Sequence, residues 1–183
     1  LAESGAFPIF CPTTHGIGGK PMNTNYLSKL NVDWGIGTDC SGGNDDYDMF
    51  EEMRTALVLN NSVAQDNFIK PKDIFRKASE ENISRISGGI FSGTLSKNQK
   101  ADFITISTNT PRMQPLHDVI NNIVMCASSK EVKDVYIDGE CIVKDSKFQN
   151  IDEEIILEEG TNAINTLFTK TGFDKKIFDG DFS

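Results

Sequence analysis

One carboxylate in the chain stands where an enzyme could place a metal ligand or a general base. Asp39 follows the apolar run 32–36, which predicts a buried strand, and precedes a stretch of glycines and short polar residues that can turn sharply. A carboxylate in that position can bind a divalent metal, and it can accept a proton from metal-bound water, which ionises near pH ~7. The plainer alternative is that Asp39 only caps the loop after its strand.

Two further candidates lie in the glycine-rich segment 13–20, which we predict to be a loop after a first short strand over residues 6–11. Thr14 could line a substrate pocket there. His15 could contact substrate or shuttle a proton. The alternative for His15, an exposed loop histidine without a role, is the favoured one.

The acidic and amide residues after the glycines have both a functional and a structural interpretation. Asn44, Asp45 and Asp46 could bind a substrate, but capping of the following helix explains at least one of them. Glu51 and Glu52 favour the positive end of the helix dipole, and we expect them to face solvent or a neighbouring helix. Asn44 is retained as a candidate substrate contact.

The elements around Asp39 predict a βα repeat. A short helix over residues 25–30 connects the two predicted strands, as in parallel barrels. The helix after the glycines is predicted from apolar residues at helical spacing: Met49, Phe50, Met53, Ala56 and Leu57. In α/β folds, ligands and catalytic groups sit at the carboxyl ends of strands, which is where Asp39 falls.

The second half of the chain has a different pattern. We predict a helix from Pro71 to Gly88-Gly89, strands 103–106, 132–137 and 141–143, helices 119–126 and 151–169, and a hairpin turn at Asp138-Gly139. The predicted domains are 1–92; 93–150, which contains strands and an intervening helix; and 151–183, a final helix and tail.

A gap-free motif links these observations to a known family. The motif begins with Gly37-Thr38-Asp39, continues through a stretch that contains small and amide residues, and ends with Asp48-Met49-Phe50-Glu51-Glu52-Met53-Arg54. The stretch resembles the eighth-strand signature of the amidohydrolase superfamily, in the branch of the methylthioadenosine/S-adenosylhomocysteine deaminases and related chlorohydrolases. Gly43 stands where serine is usual in that branch, and Asp45 where asparagine is usual.

Two other segments extend the resemblance over nearly the whole chain. Residues 93–103 are similar to the opening of the small β-domain that amidohydrolases append to the barrel. The first strand and loop resemble the family's seventh-strand pattern H-[CN]-P-x-S-N. Phe10, Thr14 and His15 replace its histidine, serine and asparagine, and this change leaves the substrate class open.

The resemblance implies an α/β fold, namely the last βα units of a metal-dependent (β/α)₈ barrel, incomplete in this chain, plus part of the small β-domain. It implies a hydrolase or deaminase in which Asp39 binds a divalent metal, zinc first with iron, manganese or nickel as alternatives, and acts in catalysis. The expected substrate is an adenosine-type nucleoside, methylthioadenosine or S-adenosylhomocysteine. A guanine-type deaminase, an s-triazine-type hydrolase and a non-catalytic fragment acting only by association are the alternatives.

Length and composition bound these expectations. A chain of 183 residues is short for a (β/α)₈ barrel of about 250, so we expect a carboxyl-terminal portion that is inactive alone and needs an upstream portion or another chain. A homo-oligomer is also compatible with these expectations. The net charge of -9 argues against nucleic-acid and anionic-membrane partners. Four cysteines without C-x-x-C spacing are typical of a reducing cytoplasm.

Overall fold

The computed structural model describes residues 3–20, 23–64 and 66–172. The chain forms two compact units, Leu1–Ser146 and Lys147–Ser183. The helices are α1 Pro12–Ile17, α2 Thr24–Lys29, α3 Met49–Val63, α4 Pro71–Arg76, α5 Asn82–Ile86, α6 Val119–Cys126 and α7 Glu153–Thr171, with a π-helical turn Lys77–Glu81 between α4 and α5 and a 3₁₀ turn Ser129–Glu131 after α6. The strands are β1 Ile9–Phe10, β2 Gly35–Ile36, β3 Phe103–Ile106, β4 Val132–Ile137, β5 Glu140–Lys144 and β6 Lys147–Phe148.

Strands β1 and β2 form a parallel pair, and α1 and α2 connect them as the predicted βα repeat. Ile9 is opposite Gly35, and Phe10 is opposite Ile36. The N–H of Gly35 donates to the carbonyl of Pro8 at 3.0 Å. No other strands pair in parallel within the described residues, and two strands do not close a barrel. The incomplete barrel therefore stays a prediction, as do the domain boundaries after residues 92 and 150.

The predicted glycine-rich loop 13–20 is wrong at its start, because the chain forms helix α1 there. Pro12 occupies the first turn, where its fixed φ suits a helix and its missing N–H costs no bond. The N–H of His15 donates to the carbonyl of Cys11 at 2.9 Å. Gly18 and Gly19 follow the last helical residue, so these glycines mark the end of a helix and are not part of a long loop.

Helix α3 has the predicted position but a different cap. Asp48 is the N-cap, and its carboxylate accepts the N–H of Phe50 at 2.8 Å. Capping by Asp45 or Asp46 is therefore wrong. A third acidic residue, Asp48, takes that role because it directly precedes the helix, with extended backbone angles of φ -78° and ψ 102° that are typical of an N-cap.

The core of the larger unit forms where α3, α4 and α6 pack with the parallel strands. The ring of Phe10 meets Trp34 edge to face at 6.4 Å between centroids. The buried apolar residues are Phe10, Leu27, Val32, Trp34, Ile36, Phe50, Met53, Ala56, Leu57, Ile74, Met113, Ile123, Val124 and Ala127. This core holds the carboxyl ends of β1 and β2 against the start of α3, so it positions the segment that contains Asp39.

Strands β3, β4 and β5 pair antiparallel in that order. The bounds of β3 and α6 are those predicted. Asp138 and Gly139 both have positive φ, 51° and 83°, as a tight two-residue hairpin requires, so that prediction is confirmed. Phe103 stacks on Tyr136 with centroids 4.6 Å apart.

The smaller unit contains β6 and α7. Asp152 caps α7 by accepting the N–H groups of Glu154 and Ile155. None of the residues of α7 is buried. Across the described ranges, no helix combines the length and the apolar content that a membrane crossing requires.

Candidate active site at the carboxyl ends of the parallel strands

Asp39 lies three residues beyond the carboxyl end of β2, with its side chain exposed. Its backbone is left-handed at φ 64°, a conformation that aspartate and asparagine adopt more readily than most residues. Oδ1 accepts the N–H of Cys40 at 2.8 Å. Oδ2 accepts no hydrogen bond from the described residues. One carboxylate oxygen is therefore available to a metal or a proton.

Thr14 and His15 lie on α1, and Thr14 forms a hydrogen bond to the segment that contains Asp39. The Thr14 hydroxyl donates to the carbonyl of Gly43 at 3.0 Å. His15 stacks on Phe10 with centroids 5.5 Å apart, and its Nδ1 is buried without a hydrogen-bond partner among the described residues. His15 is thus half-buried against β1, which differs from the exposed loop histidine that we favoured from the sequence.

Asn44 is buried and contacts Glu52. Its Nδ2 donates to Oε1 of Glu52 at 2.6 Å. The second carboxylate oxygen, Oε2, accepts the N–H of Thr13 at 3.1 Å. Glu52 is 0% exposed, so the prediction that it faces solvent is wrong, and the alternative that it faces a neighbouring helix agrees with its contact to Thr13 of α1.

The periodicity of α3 contained a signal for the burial of Glu52. The residue is three positions after Met49 and four before Ala56, which places it on the apolar face of the helix. Sequence reasoning missed it because an ionisable side chain on such a face is stable only when hydrogen-bond donors meet it. Those donors come from residues 13 and 44, which the sequence did not connect to it.

Burial determines the electrostatics of this region. Desolvation raises the pKa of the Glu52 carboxyl, and the hydrogen bond from Thr13 opposes that rise. Desolvation also raises the pKa of the Cys11 thiol, with the carboxylates of Asp39 and Glu52 adding to the effect. Both effects favour the neutral form of the Cys11 thiol, whereas the thiolate is the nucleophilic form of cysteine.

Gly43 leaves no room for a side chain beside Thr14. A Cβ at Gly43 would lie 2.9 Å from Cγ2 and 3.0 Å from Oγ1 of Thr14. We expect Gly43→Ala to destabilise the chain by about 1–3 kcal/mol through overpacking. In a Thr14→Ala background the same change should cost clearly less, because the two closest atoms are gone and only the 3.3 Å contact with Oδ2 of Asp39 remains.

Urea unfolding of the four members of this double-mutant cycle measures the coupling. Gly42→Ala is the matched control, since its Cβ would meet only the sulfur of Cys40, at 3.8 Å. Strictly additive losses at positions 14 and 43 would contradict the steric argument.

A metal fits Asp39 as one ligand of a larger set. Carboxylate oxygens bind zinc and harder divalent cations, and Oδ2 of Asp39 is exposed and unpaired within the described ranges. Within those same ranges, no group of three or more histidine, cysteine, aspartate or glutamate residues is arranged to hold a metal ion. Zinc centres use about three protein ligands or more.

The parallel βα unit, with its carboxylate just beyond the end of a strand, defines an α/β protein with a candidate site at the strand carboxyl ends. Residues 22–142 match the model of the amidohydrolase family, and the chain belongs to that family. It is 32% identical over 146 residues to a 5-methylthioadenosine/S-adenosylhomocysteine deaminase of Bacillus cereus (strain ATCC 14579), and equally to one of Bacillus thuringiensis (strain Al Hakam). These alignments cover 79% of this chain and 34% of each relative, so the chain spans about a third of their length.

Solved structures agree on the fold. An adenosine deaminase from Xanthomonas campestris with bound zinc superposes with a TM-score of 0.85 at 25% identity, over 92% of this chain and 39% of that protein. Atrazine chlorohydrolase TrzN from Arthrobacter aurescens with zinc superposes with a TM-score of 0.79 at 18% identity, over 88% and 36%. Guanine deaminase of E. coli superposes with a TM-score of 0.68 at 21% identity, over 79% and 35%.

Proposed function

We propose that this chain is part of a metal-dependent deaminase that acts on adenosine-type nucleosides. In the reaction, water adds to the ring carbon that bears the amino group, and ammonia leaves as that carbon becomes a carbonyl. The observation that carries the proposal is Asp39, with its unpaired Oδ2 just beyond the carboxyl end of β2. The deaminase names of the relatives at 32% identity support the substrate class.

The residues of this chain have separate tasks in that reaction. Asp39 would hold a divalent cation, zinc in this proposal, which when bound would supply hydroxide near neutral pH by lowering the pKa of water. Asp39 offers Oδ2 as a metal ligand and as a proton acceptor. Thr14, through its bond to Gly43, and Asn44, through Glu52, hold the segment around Asp39. Direct contact of Thr14, His15 or Asn44 with substrate stays a prediction.

Substrate preference is tested on the intact gene product that carries this sequence, purified with zinc. Ammonia release is measured with adenosine, methylthioadenosine, S-adenosylhomocysteine, guanine and an s-triazine. We expect the nucleosides to react fastest. Faster release from guanine or the triazine would favour those alternatives, and no release from any compound would favour a non-catalytic role by association.

This chain by itself should bind zinc weakly, because Asp39 is one ligand and weak ligation leaves the ion hydrated. Calorimetric titration with Zn²⁺ checks this, with Asp45→Asn as the control for an exposed carboxylate in the same segment. Tight one-to-one binding that Asp39→Asn abolishes and Asp45→Asn spares would contradict the expectation.

The remaining expectations also stay predictions. They are the preference for zinc over iron, manganese or nickel, the homo-oligomer or upstream partner, the inactivity of this segment alone and the cytoplasmic location. Elemental analysis of the purified gene product and its mass in solution address the first two directly. The metal and the partner matter most to the proposal, since the other ligands of a metal centre would come from outside the described residues.

A further inference from the structure

We propose that Glu52 is a positioning residue that fixes the segment containing Asp39 against α1, an inference that rests on the function proposed above. The side chain of Glu52 is fully buried at the start of α3. Its two oxygens accept hydrogen bonds from two different segments of the chain. Oε2 accepts the N–H of Thr13, and Oε1 accepts Nδ2 of Asn44. One carboxylate thereby joins the segments that follow β1 and β2.

A short series of bonds carries this restraint to Asp39. The N–H of Asn44 donates to the carbonyl of Cys40 at 2.9 Å, which closes a tight turn. The N–H of Cys40 in turn donates to Oδ1 of Asp39 at 2.8 Å. Because Oδ1 is held in this way, the direction of the unpaired Oδ2 depends on where Glu52 holds Asn44.

The site requires an acceptor at both oxygens of residue 52. An ionised carboxylate accepts at both oxygens, whereas the amide of glutamine accepts at one and donates at the other. In Glu52→Gln, an NH₂ group would therefore face either Thr13 N–H or the amide NH₂ of Asn44. In a buried position such an unpaired donor is costly, so the segment should open more often.

Amide hydrogen exchange on this chain tests the restraint without reference to catalysis. In Glu52→Gln we expect the amides of residues 40–44 to exchange roughly 10- to 100-fold faster. In the double variant Glu52→Gln with Asn44→Asp, donor and acceptor change places, because the glutamine NH₂ can donate to the new carboxylate. Protection should then recover.

Glu131 supplies a matched control, because it is also a buried glutamate. Its Oε2 accepts the N–H and the hydroxyl of Ser128 at 2.9 and 2.8 Å. Glu131→Gln should weaken the fold without accelerating exchange in residues 40–44 selectively. Unchanged exchange in Glu52→Gln, or no recovery in the double variant, would overturn the inference.

Kinetics of the intact gene product separate this inference from the proposed function. In Glu52→Gln we expect kcat to fall about 10-fold or more while KM changes little. If the gene product deaminates but Glu52→Gln turns over normally, Glu52 does not position Asp39. If no deaminase activity exists, the proposed function fails, and the exchange measurements still decide the restraint.

Discussion

Asp39→Asn in the intact gene product is expected to abolish turnover, with a loss of at least about 10²- to 10⁴-fold, the contribution typical of an essential base. The amide keeps the size of the side chain but loses the negative charge and the capacity to accept a proton. Asparagine also tolerates the left-handed backbone at φ 64°, so the fold should be retained. Circular dichroism and steady-state kinetics on the same preparation measure both effects.

Asp45→Asn is the control for that experiment. Asp45 is an exposed carboxylate in the same segment, so its replacement removes the same charge without touching the unpaired oxygen at the end of β2. Its turnover should stay near that of the unaltered protein. Near-normal turnover in Asp39→Asn would show that Asp39 is not catalytic and would remove the observation on which the proposed function depends.

Asn82→Ala is expected to produce a large loss of stability, about 2–5 kcal/mol, because it leaves two buried backbone groups without partners. Asn82 lies on α5, and its Oδ1 accepts the N–H of Ile36 at 3.1 Å. Its Nδ2 donates to the carbonyl of the same residue. The side chain thus occupies the edge of β2 that faces away from β1, where a further strand would otherwise pair.

Urea unfolding of this chain measures that loss, which is a large share of the ~5–15 kcal/mol typical of a domain. Asn121→Ala, on the exposed surface of α6, is the control and should cost little. Exchange of the Ile36 amide should accelerate only in Asn82→Ala. A loss no greater than that of the control would mean that water replaces the side chain at this strand edge.

The local patterns of the sequence were sufficient for much of the fold. The strand at Phe103–Ile106, the helix at Val119–Cys126 and the turn at Asp138-Gly139 have their predicted positions, since apolar spacing and turn residues act over a few neighbours. The motif from Gly37 to Arg54 was likewise enough to indicate the family, which the family match confirms.

Some local errors came from competition among similar residues. Asp45, Asp46 and Asp48 are all suitable caps by type, and the backbone angles at the helix start select Asp48. Segment 13–20 contains enough glycine to indicate a loop, yet Pro12 begins a helix there. The sequence limits the cap to a few residues of suitable type, and the backbone geometry next to the helix determines which residue is the cap.

The sequence by itself determined that Asp39 follows a buried strand and precedes a helix, because that order depends only on neighbours along the chain. Only the tertiary structure decided what surrounds it. Glu52 is buried because Thr13 and Asn44 reach it from segments 39 and 8 residues away, and Asn82 completes the edge of β2 from 46 residues away. A buried polar group is stable only with its partners in place, and those partners are brought together by packing.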